Sequence, residues 1–130
     1  MRDKTDYRSP ITDHRLPIYV MADEQVMSRI FTNLLLNAME SVPNTRKPEI
    51  VVRLFTSNQH VVVEIKDNGI GIPDEIKDKI FIPSFSTKSK GSGIGLAVAK
   101  RGMELAGGKI WFETKTGKGT SFFIELGVLD

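Results

Sequence analysis

The stretch at residues 61–73, VVVEIKDNGIGIP, constrains this chain more than any other. Residues 61–66 read as a buried strand, because β-branched side chains dominate and no turn residue interrupts them. The strand delivers an acid, Asp67, directly into a turn containing Gly69 and Gly71. Glycine tolerates positive φ and lets a backbone approach its neighbour with no Cβ in between. A carboxylate fixed at a strand end beside two such glycines suits a flat, hydrogen-bonding ligand. Asn68-Gly69 alone equally marks an ordinary hairpin turn, so the decision rests on what surrounds it.

At 130 residues the chain is long enough for one domain with a real core. A formal charge of +2 is too small to argue for a nucleic-acid or membrane surface, and it is compatible with an anionic small ligand. The sequence has no cysteine, which excludes disulfides, thiolate chemistry and cysteine-based zinc sites. His14 and His60 stand isolated and form no metal constellation with carboxylates. No apolar run approaches membrane-spanning length and no signal peptide is recognisable, so a cytoplasmic setting is expected.

Residues 1–16 are polar and aperiodic, with Ile11 and Thr12 as a candidate edge strand; residues 17–130 are expected to form the domain. PIYVMAD is a short strand ending at Asp23, which is well placed to cap the helix that follows. Apolar side chains at Val26, Met27, Ile30, Phe31, Leu34, Leu35, Ala38, Met39 and Val42 have the helical period, and Pro43 stops it. Asn33 and Asn37 stack on one side of this helix, at the edge of its apolar stripe. Asparagine is a mediocre helix former, so the pair serves either to cap neighbouring loops or to face a ligand or metal. Residues 49–56 and 59–66 read as two strands joined by a turn at Ser57-Asn58. Pro73-Asp74-Glu75 opens a short helix. A loop rich in Ser, Lys and Gly leads to GSGIG and an apolar helix ending at Gly107-Gly108. Glycines just before a helix leave its first amides open to an anion. Residues 109–114 and 120–126 finish as strands around a Gly117-Lys118-Gly119 turn.

Two glycine-rich turns, one after a strand and one before a helix, point to a phosphate-bearing ligand. A Walker A loop requires Gly-Lys-Ser/Thr, whereas Gly95 precedes Leu96. A dinucleotide fingerprint requires Gly-x-Gly-x-x-Gly after a strand, whereas Gly91, Gly93 and Gly95 are evenly spaced and follow a loop. The order of segments instead resembles the ATP-binding domain shared by sensor histidine kinases, DNA gyrase, Hsp90 and MutL. NLLLNAME at residues 33–40 is similar to the N box and DNGIGIP to the first glycine box. FIPSFSTK resembles the F box with the start of the ATP lid, GSGIGLAVAK the second glycine box, and GKGTSFFIEL the closing one.

The resemblance implies a two-layer α/β sandwich of the Bergerat type: a mixed sheet packed on three main helices, with a lid loop over ATP. It implies that Asp67 accepts the adenine 6-amino hydrogen and that Gly69 and Gly71 let the backbone pass close to the base. Thr120 supports that end, and Ile72 belongs to the same cofactor-binding set. Asn37 is the expected Mg²⁺ ligand, assisted by Asn33. The amides around Gly91, Gly93, Ile94, Gly95 and Leu96 are expected to hold phosphate oxygens. Catalysis in such a site is positioning and charge neutralisation of an in-line phosphoryl transfer.

Position 33 separates the branches of this family. In the hydrolases, and in the anti-sigma-factor serine kinases, a glutamate base stands four residues before the magnesium asparagine. Asn33 cannot accept a proton at neutral pH. A histidine acceptor already carries a lone pair and needs no base. The resemblance therefore implies a protein histidine kinase catalytic domain, with an anti-sigma-like serine kinase or a non-catalytic nucleotide-sensing module as alternatives. Neither His14 nor His60 sits in a phosphoacceptor motif, so the partner is a histidine-bearing dimerisation domain, with a response regulator served indirectly. Many histidine kinases carry Lys or Arg where this chain has Glu40, as in nitrogen-regulation and sporulation sensors; Lys88 is the candidate replacement cation.

Overall fold

The computed structural model of the chain describes residues 18–83 and 95–129. The expectations for residues 1–16, Lys88, Gly91, Gly93 and Ile94 lie outside the described residues.

Helix α1 (Glu24–Glu40) starts where the sequence predicts, because Asp23 is extended and its carboxylate accepts from the Val26 amide at 3.0 Å. It ends short of Pro43: the Ser41 hydroxyl donates to the Ala38 carbonyl at 2.8 Å and closes the last turn. Ile30, Leu34 and Ala38 are buried, whereas Leu35 and Met39 are 36% and 58% exposed. The apolar stripe is thus narrower than its periodicity implies. One face packs on the second helix and the sheet, and among the described residues no layer covers the flank bearing Leu35 and Met39.

Strands β1 (Val51–Ser57) and β2 (His60–Lys66) form a hairpin in which Phe55 faces Val62 and Ser57 faces His60. The turn is Asn58-Gln59, one residue later than expected, with φ of 49° and 65°. Positive φ at both central positions matches the right-handed twist of the flanking strands. Helix α2 (Gly95–Leu105) follows the second glycine-rich segment and closes through Gly107, at φ 74°, with the Gly108 amide donating to the Met103 carbonyl at 2.8 Å. Strands β3 (Lys109–Lys115) and β4 (Gly119–Gly127) complete the sheet.

The sheet order is β1-β2-β4-β3, and every strand pairing among the described residues is antiparallel. The two-layer sandwich is present, but the expected mixed sheet is corrected in this respect. The crossover from β2 through α2 does set β3 parallel to β2; β4 then inserts between them, antiparallel to both. Among the described residues the third main helix is also corrected. Asp74–Ile76 is a single 3₁₀ turn, too short to bury a face, and none of its residues is buried. Of PIYVMAD, the described residues 18–23 form no strand but an isolated bridge between Val20 and Val128, besides the Asp23 cap.

The core lies between the helices and one face of the sheet, where Ile30, Leu34, Ala99 and Met103 meet Ile65, Phe122 and Ile124. Burying each large side chain contributes about 1.5–3 kcal/mol. Gly102 permits the helices to close, since a Cβ there would come within 2.8 Å of the Ile30 side chain. On the opposite face Trp111 stacks on Phe123 at 5.2 Å, and the Ser121 hydroxyl donates to Glu64 at 2.7 Å. No helix among the described residues is long and apolar enough to cross a membrane.

Candidate functional site

Strand β2 runs out at Lys66 and leaves Asp67 at the edge of the core, 2% exposed. Its Oδ1 accepts from the Gly69 amide at 2.8 Å and from the Thr120 amide at 3.2 Å. Its Oδ2 is buried and has no hydrogen-bond partner among the described residues. A carboxylate oxygen out of water without a donor is costly by about 1–3 kcal/mol or more. Two amides therefore orient the group by one oxygen and leave the other as an acceptor for something the described residues do not supply. That is the chemistry of a site built for a ligand N–H.

The glycines of this turn have a packing reason that the sequence did not reveal. A Cβ on Gly69 would press on the carbonyl and hydroxyl of Ser41, and one on Gly71, at φ 78°, would lie 2.6 Å from the Lys115 carbonyl. Both glycines admit other parts of the protein, α1's end and the β3–β4 turn, whatever they also admit of a ligand. Gly119 does the same from the other side, since a Cβ there would overlap the Asp67 carbonyl.

Thr120 is 5% exposed, and its hydroxyl lies 2.8 Å from that of Thr114. The Thr114 hydroxyl also accepts from the Ile72 amide at 2.8 Å. Ile72 and Thr120, both expected in the site, are thus tied together through Thr114, which sequence reading missed. Its signal was the hairpin register: Thr114 faces Thr120 directly across the β3–β4 ladder. Asn68 is occupied elsewhere. Its carboxamide accepts from the Glu49 amide and donates to the Lys47 carbonyl, each at 2.9 Å, and so fastens the turn to the loop before β1.

Asn37 and Asn33 lie on α1, both half-buried. With a rise of about 1.5 Å per residue, they stand roughly 6 and 12 Å along the axis from Ser41, which touches the Asp67 turn. At the far end, a Cβ on Gly95 would be 3.7 Å from the Asn33 amide oxygen, so the start of α2 abuts Asn33. One helix face therefore leads from the orphaned carboxylate to two carboxamides and then to the first turn of α2, which carries Gly95 and Leu96. Amide oxygens are ligands that suit a hard divalent cation retaining its waters. Glu40 is exposed at the end of α1.

A family described as histidine kinase-, DNA gyrase B-, and HSP90-like ATPase matches residues 22–129. Among curated proteins, the chain is similar to the adaptive-response sensory kinase SasA of Prochlorococcus marinus, 36% identical over 116 residues, covering 85% of this chain and 30% of SasA. Among solved structures it is similar to the catalytic domain of histidine kinase ThkA, at 34% identity and a TM-score of 0.72, covering 83% of this chain and 70% of that one. The mycobacterial sensor histidine kinase MprB aligns with a TM-score of 0.76 at 28% identity, covering 86% of this chain and 78% of that one. The chain spans less than a third of the length of the curated relatives it matches.

Proposed function

Because the chain belongs to the family of histidine kinase-, DNA gyrase B-, and HSP90-like ATPases, we propose that it is the ATP-binding catalytic domain of a sensor histidine kinase. It binds Mg-ATP and donates the γ-phosphoryl group to a histidine on a separate dimerisation domain. The observation that carries the nucleotide reading is the buried, partnerless Oδ2 of Asp67 beside an Oδ1 held by two amides. The 6-amino group of adenine is a planar N–H donor of the kind that oxygen lacks.

Thr120 and Ile72 line the same end of the site, held by Thr114. Asn37 holds Mg²⁺ with help from Asn33, and the bound ion neutralises charge on the phosphates. The amides of Gly95 and Leu96 at the start of α2, with those of Gly91, Gly93 and Ile94 preceding it in the sequence, receive the phosphate oxygens. Lys88 supplies the cation that Glu40 does not. Asn33 favours transfer to a histidine over hydrolysis or transfer to serine, since a carboxamide cannot deprotonate water or a hydroxyl. The similarity to ThkA and MprB, both named histidine kinases, supports that preference. A response regulator is served indirectly, and the domain works in the cytoplasm.

Calorimetric titration with Mg-ATP tests the base pocket. Loss of one charge-assisted hydrogen bond, worth about 1.5–3 kcal/mol, weakens binding by roughly 10- to 100-fold in Asp67→Ala. An unchanged affinity in that variant would remove Asp67 from the site.

A further inference from the structure

We propose that Arg46, an exposed residue of the loop between α1 and β1, is a positioning residue that sets the adenine selectivity of the Asp67 pocket. This inference rests on the base-pocket reading above and adds to it a residue from outside every recognised motif. Arg46 Nη1 donates to the Asn68 carbonyl at 2.8 Å and lies 3.3 Å from the carbonyls of Gly69 and Gly117. Its partners come from two separate turns, at sequence separations of 22 and 71 residues. One cation therefore joins the Asp67 turn to the β3–β4 turn.

The three carbonyls present the negative ends of their dipoles to one point. Without a cation there, they repel one another and the Asn68–Gly69 peptide turns away from the β3–β4 turn. At their tips the two turns are also joined by the Gly117 amide, which donates to the Ile70 carbonyl at 2.7 Å, while nearer the strands the Asp67–Thr120 pair holds their bases together. The Asn68–Gly69 peptide is the critical one. Its carbonyl is held by Arg46, and its N–H, on Gly69, makes the shorter of the two bonds that orient Asp67 Oδ1, the other coming from the Thr120 amide. Turning that peptide redirects the carboxylate and moves Oδ2 away from where it meets a 6-amino group. A charge-assisted bond to a carbonyl is stronger than a neutral one, and the arginine fork reaches several acceptors where a lysine acts as a point charge. Because Arg46 is exposed, its replacement opens no cavity in the core.

The test compares ATP with purine riboside triphosphate, the same nucleotide lacking the 6-amino group, by calorimetry with Mg²⁺ on the whole chain. The wild type is expected to prefer ATP by tenfold or more. In Arg46→Met that preference falls to about threefold or less, through weaker ATP binding, while affinity for the analogue changes little. Arg46→Lys, which restores a cation, recovers part of the preference. Full preference in Arg46→Met overturns the inference. An equal loss for both nucleotides with a lowered melting temperature also overturns it, since that is the mark of a merely structural role. A wild-type chain that binds both nucleotides alike overturns the base-pocket reading itself, and this inference with it.

Discussion

Asp67 and Thr120 are joined twice: the Asp67 amide donates to the Thr120 carbonyl at 2.9 Å, and the Thr120 amide donates back to Asp67 Oδ1 at 3.2 Å. The second bond uses the Thr120 backbone, so Thr120→Ala is expected to keep the carboxylate oriented. Asp67→Asn is different. It presents an N–H where an acceptor is needed, or sacrifices the amide bonds at Oδ1. ATP affinity should fall by about 10- to 100-fold in Asp67→Asn while thermal stability holds or rises, because the partnerless buried charge is gone. Titration calorimetry and thermal unfolding on the same preparations separate the two effects, and coupled losses would contradict the assignment.

Thr114→Val leaves the Ile72 amide and the Thr120 hydroxyl without their shared partner. Stability should drop by about 1–3 kcal/mol, and nucleotide affinity with it. Urea unfolding measures the first. A neutral result would mean that neither group depends on the Thr114 hydroxyl.

Gly117 and Gly119 flank one turn but should respond differently to alanine. Gly117 has φ 81° and open space for 4 Å around the position a Cβ would take, so its alanine variant bears only the left-handed backbone cost, about 1–2 kcal/mol. Gly119→Ala adds a clash with the Asp67 carbonyl and should be the more damaging of the two. Equal unfolding midpoints would refute the close approach at Gly119.

Lys88→Ala should slow phosphotransfer to a partner histidine more than it weakens ADP binding, because ADP lacks the γ-phosphate that a lysine would meet. Matched losses for ADP and ATP would assign Lys88 a general electrostatic role. Chelation of Mg²⁺ should abolish transfer and weaken ATP binding, an effect that Asn37→Ala should reproduce at saturating Mg²⁺; an Asn37→Ala chain with normal transfer would remove it as the ligand.

Much of this site was readable before folding because its pieces are local. A β-branched strand feeding Asp67 and an aspartate ahead of a helical period each announce themselves within a few residues. The asparagine pair was legible for the same reason, since helix geometry alone brings Asn33 and Asn37 to one side. What remained hidden depends on register and on loops meeting across the fold. Thr114 matters only because β3 and β4 pair at Thr120, and Arg46 only because two distant turns converge on its loop. Asn68-Gly69 looked like a hairpin turn, yet the hairpin is at Asn58-Gln59 and Asn68 is clasped by residues 47 and 49. The antiparallel sheet was not legible because β4, last in the chain, separates the two strands that a crossover would otherwise set side by side.

The central claim is tested most directly by γ-phosphoryl transfer. Mg-ATP labelled at the γ-position is incubated with the chain alone and with a histidine-bearing dimerisation domain. The chain alone should acquire no acid-labile phosphate, since neither His14 nor His60 sits in a phosphoacceptor motif. With the partner present, the label should appear on the partner's histidine, acid-labile and base-stable, and the Asp67→Ala chain should fail to place it there. Label on the chain itself, or ATP hydrolysis at about 1 s⁻¹ or faster by the chain alone with none on the partner, would contradict the account.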